Sequence, residues 1–500
     1  MSTVVKLKAA DGSPVEFVDA PPKQGGMKDV YFSPDRSYVV AFYRKPQDAN
    51  AKDRLQNIVG RYRENIFNQS GGAYWQDLYC WPTHIVEHKG LLGIKAPFYA
   101  PNFFFKHGSA NGDMLGIRGH EKEGKWFSTG TNLQKYLAPE ERGTWIGYLK
   151  VCLRIARAVR RLHAAGLAHS DLSYKNVLID PLTGGAAVID IDSLVVPGKY
   201  PPDVVGTPDF IAPEVIGTMH LPLLDKGRAL PRIDTDRHAL AVLIYMYLLY
   251  RHPLKGGLVH PAQTEEERVN LEMGRKALFV EHPTDLRNRP NLKDARKSDL
   301  PFADVSALPH SIAGPHLQKL FDRAFITGLH QPDQRPSADE WEHALIRTVD
   351  LLQPCANPAC SHQWHVFANN AKPVCPICRT ASHGQLPMLD LYSKRGGSFK
   401  PDDHRLMIYT NQSLFEWHTD RLVGNNERLT AEQKKPVGYF TFHRGKWMFT
   451  NQRLATMKDC THQPAVPVPI NTAIELIDGQ QLLFADTDHG RLARVQLLNT

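Results

Sequence analysis

The run His169-Ser170-Asp171-Leu172-Ser173-Tyr174-Lys175-Asn176 constrains this 500-residue chain more than any other stretch. Before it, Leu149, Leu153, Ala156, Val159 and Leu162 recur at three and four residues, which predicts an amphipathic helix over 145–163. After it comes Val177-Leu178-Ile179, an apolar run of strand type. A second such run, Ala187-Val188-Ile189, ends in Asp190, fourteen residues after Asn176. Any one of these Asp or Asn residues alone would be read as a turn former. Three in this order suit another task. One carboxylate can accept a hydroxyl proton while a carboxamide and a second carboxylate hold Mg²⁺ on a nucleotide's phosphates.

The arrangement resembles the protein kinase superfamily. Gly206-Thr207-Pro208-Asp209-Phe210-Ile211-Ala212-Pro213-Glu214 is similar to the end of a kinase activation segment. Asp236 resembles the acid that braces the catalytic loop from within, and Arg335 the partner of Glu214. The resemblance implies a bilobal α+β fold, with ATP as phosphoryl donor and Mg²⁺ as cofactor. It makes Asp171 the group that orients the acceptor hydroxyl, and Asn176 and Asp190 the metal ligands.

In the first lobe, Lys23-Gln24-Gly25-Gly26-Met27-Lys28-Asp29-Val30 stands where a glycine-rich loop would cover the phosphates. Gly25 and Gly26 are its candidate contacts. Lys23 and Lys28 occupy the first and third glycine positions, two lysines beside a triphosphate. Lys45, fifteen after Val30 and nineteen before Glu64, is expected to align the phosphates. Glu64, on a helix predicted over 53–66, would hold it. Arg44 takes that role if the strand carries a bulge.

The chain also departs from the family's pattern. Ser170 replaces the Arg that reads an activation-segment phosphate, and Ser173 replaces a γ-phosphate lysine. Lys175 could supply that charge instead. Asp192 stands in place of a glycine after Asp190, and 102–131 is long enough to be an inserted loop. Thr207 resembles the threonine typical of Ser/Thr kinases, which implies a Ser or Thr hydroxyl as acceptor.

Cys355-x4-Cys360 and Cys375-x2-Cys378 place four of the seven cysteines in two knuckles fourteen residues apart. Four thiolates at that spacing suit structural Zn²⁺ and resemble a zinc ribbon. His362 and His365 could each take the place of a cysteine ligand, but read first as ordinary polar residues of its loop. Beyond 385, short strand-like runs alternate with Gly, Asn and Asp turns. Pro469-Ile470-Asn471 and the run 476–484 resemble a forkhead-associated-type β-sandwich without its phosphothreonine-reading motifs, so a docking domain is expected there.

The expected domains are 1–100 and 101–352 for the two kinase-like lobes, 353–384 for the zinc ribbon and 385–500 for the β-rich domain. Their order resembles bacterial kinases of the tellurite-resistance group. That resemblance implies two partners, a von Willebrand factor A-type protein and a Ser/Thr phosphatase.

Composition agrees with a folded chain: 42% apolar and 22% charged residues. The net charge of +8 is spread along the sequence without a basic tail, so nucleic acid is not expected as a partner. No apolar run approaches the ~18 residues of a membrane span. With no signal-peptide core and cysteines of metal-site type, a cytoplasmic protein is expected. The reading from a different class is a pseudokinase, a scaffold that binds nucleotide and partner proteins without transferring phosphate.

Overall fold

The computed structural model of the chain describes residues 3–24, 26–69, 71–196, 199–200, 206–222, 225–367 and 373–499. They form two compact units. The first comprises 1–143, 147–309 and 320–342; the second comprises 144–146, 310–319 and 343–500.

The first unit opens with the hairpin β1 (Thr3–Lys8) and β2 (Pro14–Asp19). A five-stranded antiparallel sheet follows, built from β3 (Lys23–Gln24), β4 (Lys28–Phe32), β5 (Tyr38–Tyr43), β6 (His84–His88) and β7 (Leu91–Pro97) in the order β3-β4-β5-β7-β6. Alternation sends Val40 and Phe42 to one face, with Val15 and Phe17. It sends Ala41 and Tyr43 to the other, with Leu55 and Ile94. The β4–β5 turn is tied by Asp35, whose Oδ1 accepts from the Ser33 hydroxyl at 2.7 Å, the Ser37 amide at 3.0 Å and the Ser37 hydroxyl at 2.8 Å. These bonds, the Ser37 amide first, hold the Asp35 carboxyl down at about 2.

The helix expected over 53–66 is present, with one irregularity. Ala49–Asn57 is α-helical, Ile58–Tyr62 is a wide π turn, and Arg63–Phe67 resumes the α-helix. Asp48 caps its start by accepting the Ala51 amide at 2.8 Å.

The rest of the first unit is mainly helical. Trp145–Ala164 and Ile233–Leu249 are its long helices. In the second, every residue from His238 to Leu249 is buried, as its apolar circumference requires. Between the two helices lies the hairpin β8 (Val177–Asp180) and β9 (Gly185–Val188), with Val177 opposite Val188.

Beyond the second long helix, His252 is buried. Its Nδ1 accepts the Leu254 amide at 3.1 Å, so Nε2 carries the proton and donates to Asp209 O at 3.0 Å. Burial depresses its pKa to about 4; Asp209 opposes that shift and Lys255 reinforces it. The unfolded chain therefore takes up this proton more readily than the fold does. Stability from His252 is complete above about pH 6.5 and is lost as pH falls toward 4. Between pH 7.5 and 5 the expected loss is about 2 kcal/mol. Urea midpoints at the two pH values should show a smaller difference for His252→Asn; equal differences would sink the assignment.

In the second unit, β10 (Leu352–Pro354) pairs with β11 (Trp364–Val366). Then follow β12 (Gln385–Arg395), β13 (Ser398–Met407), β14 (Ser413–Leu414), β15 (Gly438–His443), β16 (Lys446–Asn451), β17 (Lys458–Asp459), β18 (Val466–Pro467), β19 (Ala473–Glu475), β20 (Gln481–Leu483) and β21 (Arg491–Asn499). They make a six-stranded sheet, β13-β12-β21-β20-β17-β18, and a four-stranded sheet, β14-β15-β16-β19. Leu391, Leu406 and Val495 of the first share one core with Phe440 and Phe449 of the second. No helix among the described residues is long and apolar enough to cross a membrane.

Candidate active site

The loop between Trp145–Ala164 and β8 is held from below by Asp236, on the buried helix. Asp236 Oδ2 accepts the His169 amide at 2.7 Å, and Oδ1 accepts the Ser170 amide at 3.1 Å. Ser170 sits in the left-handed region, φ +65°, which these two bonds stabilise. His169 Nε2 donates to Ile189 O at 2.9 Å, which ties the loop to the end of β9.

Asn176 Nδ2 donates to Asp171 Oδ2 and to Asp171 O, both at 2.8 Å. The Ile189 amide donates to Asn176 O at 3.0 Å, so the β8–β9 register sets Asn176 beside Asp190. Asp171, Asn176 and Asp190 are thus brought together by one chain of bonds. Asp190 is itself left-handed, φ +61°, as the chain turns sharply off β9. The opposite oxygen of Asp171 faces the activation-type segment: Oδ1 accepts the Thr207 amide at 2.6 Å and its hydroxyl at 2.8 Å. The preceding Gly206 has φ +122°, a conformation strained for an L side chain, and a Cβ there would be tight, 3.2 Å from Ile211 and 3.3 Å from Ser170 O.

A cation reaches this group from the sheet. Lys28 Nζ donates to Asp190 Oδ1 at 2.9 Å and to Asp192 Oδ1 and Oδ2 at 2.8 and 2.7 Å. The Tyr43 hydroxyl, on the residue directly opposite Lys28, also donates to Asp192 Oδ2. Burial disfavours the Lys28 ammonium, but Asp192 and then Asp190 outweigh it and raise its pKa. Burial likewise disfavours the Asp192 carboxylate, and Lys28 reverses this and keeps it ionised.

Around the site, three carboxylates face one ammonium, an anionic excess suited to a divalent cation. Among the described residues, Asn176 Oδ1 and Asp190 Oδ2 take no protein donor. Oxygen ligands with free lone pairs fit Mg²⁺.

The remaining expected residues are elsewhere. Gly25 lies outside the described residues, and Gly26 is exposed. Lys175 is exposed in the loop without an ion pair among the described residues; Ser173 is fully buried and accepts from Thr207 Oγ1 at 3.1 Å. Lys45 and Glu64 are both exposed and do not pair, which corrects the expected Lys45–Glu64 bridge. There are two physical reasons. β5 ends at Tyr43, so Lys45 leaves the sheet before it can face the site. The π turn at Ile58–Tyr62 winds more than 3.6 residues per turn, so counting along a regular helix misplaces Glu64. Arg44 instead pairs with Asp29 at 2.9 Å. Lys28, read in the sequence as a loop lysine, shares its strand face with Val30, a sign that it points inward.

In the second unit, the sulfurs of Cys355, Cys360, Cys375 and Cys378 all lie within 4.8 Å of one another. Cys355 Sγ is 3.4 Å from Cys378 Sγ, and Cys360 Sγ is 3.8 Å from Cys375 Sγ. Zn–S bonds of about 2.3 Å in a tetrahedron separate sulfurs by about 3.8 Å, so the four thiols fit Zn²⁺. His362 and His365, expected as polar loop residues, are buried.

Comparison with known proteins adds relatives. Serine/threonine-protein kinase PkaB of Streptomyces coelicolor is 32% identical over 155 residues, 28% of this chain and 33% of its own length. Citron Rho-interacting kinase of Homo sapiens is 31% identical over 135 residues, 26% of this chain and 6% of its own. Dual serine/threonine and tyrosine protein kinase of Apis mellifera is 32% identical over 150 residues, 29% of this chain and 14% of its own. This chain thus spans a third or less of the length of these relatives. Residues 127–342, which carry Asp171, Asn176, Asp190 and Thr207 but not Lys28, match the protein kinase domain family.

Proposed function

We propose that the chain is an ATP- and Mg²⁺-dependent protein kinase that phosphorylates Ser or Thr hydroxyls. The observation that carries this reading is the bonded set Asp171–Asn176–Thr207 beside Asp190. Asp171 keeps Oδ1 toward the segment where an acceptor hydroxyl would enter, and so orients that hydroxyl and takes its proton. Asn176 and Asp190 would hold Mg²⁺, which neutralises phosphate charge. Lys175, exposed at the loop's edge, is available to the γ-phosphate. Thr207 packs its hydroxyl against both Asp171 and Ser173, which favours a small aliphatic acceptor over a phenol.

The test is [γ-³²P]ATP with the purified chain, its own residues and casein as acceptors, followed by phosphoamino-acid analysis. Label on Ser or Thr is expected. Label on Tyr alone, or on a small metabolite, would overturn the acceptor class. Nucleotide binding without any label would replace the reading with the scaffold one.

The same reading takes the four cysteines as a structural Zn²⁺ site in a ribbon over 353–384 and takes 385–500 as a docking domain. It places the protein in the cytoplasm with the tellurite-resistance group, and a von Willebrand factor A-type protein and a phosphatase as its partners, to be tested by co-purification. For the metal, one Zn per chain is expected by elemental analysis. Cys375→Ser should bring it below about 0.1 per chain and lower the melting temperature, because structural zinc contributes folding energy outright. Wild-type protein that carries no zinc and melts identically with and without chelator would refute the assignment.

A further inference from the structure

We propose that Lys28 is the lysine that contacts the nucleotide's phosphates, and that Asp192 is the positioning residue that holds it there. This rests on the phosphotransfer reading above and moves the cationic contact from Lys45 and its expected partner Glu64 to a different strand and a different acid. The pair straddles the matched family region: Asp192, two residues past Asp190, lies inside 127–342, while Lys28, on β4, lies outside it.

Apart from Lys175 on the loop, the cations at this end of the sheet are otherwise engaged or remote. Arg44 is paired with Asp29, and Lys23 with Glu121. Lys45 is exposed beyond the end of β5. Lys28 alone among them has a deeply buried counter-ion: the Asp192 side chain is 3% exposed. A buried ammonium is costly unless its donors are met, and Lys28 has three donors directed at three carboxylate oxygens.

The two carboxylates differ in kind. Asp192 is buried and takes the Tyr43 hydroxyl as well as Lys28, so both its oxygens are committed. Asp190 is 36% exposed in its side chain and has one oxygen without a protein donor. If Asp190 turns to a metal ion, Lys28 loses one acceptor and keeps the other two. The N–H released is then available to a phosphate oxygen, while Asp192 and Tyr43 prevent the ammonium from following. An expected Lys–Glu bridge from the helix is thereby replaced by a bridge from the loop after β9. Arg54, the buried charged residue of Ala49–Asn57, is a cation and could not serve as that acid.

The test measures Mg·ATP affinity by calorimetry on the full chain, independently of turnover. Lys28→Met should weaken binding by roughly ten- to hundredfold, the loss of one charge-assisted contact. Because it leaves Asp192 buried without a partner, Lys28→Met/Asp192→Asn is made alongside it and is expected to fold. Asp192→Asn alone should raise Kd and the KM for ATP together, with kcat less affected. In the Lys28→Met background it should add nothing, since it acts through that lysine; a merely structural effect would add in full. Lys28→Arg should recover part of the affinity. A Kd indifferent to Lys28 in both backgrounds, or Lys45→Ala weakening ATP more than Lys28→Met does, would overturn the inference. A wild type that binds Mg·ATP without labelling protein would overturn the phosphotransfer reading while the Kd series still decides this one.

Discussion

Asp171→Ala is expected to slow protein labelling from ATP by roughly 10²–10⁴-fold, the range over which a positioned proton acceptor contributes. Nucleotide affinity should change less than about threefold, because Asp171 accepts from Asn176 and Thr207 and not from Lys28. The separation is the useful part. Loss of one carboxylate that orients an acceptor should lower kcat and leave ATP binding nearly intact. Asp171→Asn is the stricter variant, since it keeps the volume and one acceptor oxygen for Thr207 while abolishing proton uptake. Labelling by Asp171→Asn at more than about a tenth of the wild-type rate would remove Asp171 from the chemistry.

Glu214→Ala should destabilise the first unit by roughly 3–5 kcal/mol, the usual cost of stranding a buried charge. Arg335 Nη1 donates to Glu214 Oε1 at 2.8 Å and Nη2 to Oε2 at 2.7 Å, a bidentate pair. Its remaining donors reach Gly328 O at 2.8 Å, Asp234 O at 2.9 Å and Leu329 O at 3.2 Å. The Arg335 side chain is 1% exposed. Removing the carboxylate therefore leaves a buried guanidinium that cannot lose its proton and has lost its counter-ion. Arg335→Ala does the converse damage, by opening a cavity and removing a donor from three carbonyls and both donors from the Glu214 carboxylate. Urea unfolding of both variants checks this. Midpoints within the error of wild type would show that the pair is dispensable to the fold, contrary to its geometry.

What the sequence reveals here follows how far apart the cooperating residues are. Asp171, Asn176 and Asp190 lie within twenty residues and are joined by one hairpin, so their order alone suggests a common site. The buried helix at Ile233–Leu249 and the Ser337–Glu340 capping box are equally local, and the box forms with a Ser337 amide to Glu340 Oε2 bond of 2.9 Å. Lys28 is different. Its partner lies 164 residues on, and only the pairing of β4 with β5 reveals which way it points. Counting to Lys45 requires a strand two residues longer than β5. Counting to Glu64 requires an unbroken α-helix where the chain has a π turn. In the second unit, the strand runs are readable, but the pairing of β12 with β21 joins segments about a hundred residues apart, which no local pattern announces.

The short turn between β4 and β5 therefore has influence beyond its size. Side chains alternate along a strand, so sliding β4 past β5 by one position would aim Lys28 away from the acids and present Met27 or Asp29 in its place. Deleting a single residue from 34–37 would leave most of the polypeptide able to fold while turning the Lys28 ammonium away from Asp190 and Asp192. In this molecule a serine–aspartate turn at the far end of the hairpin decides whether a cation reaches Asp190 and Asp192 at all.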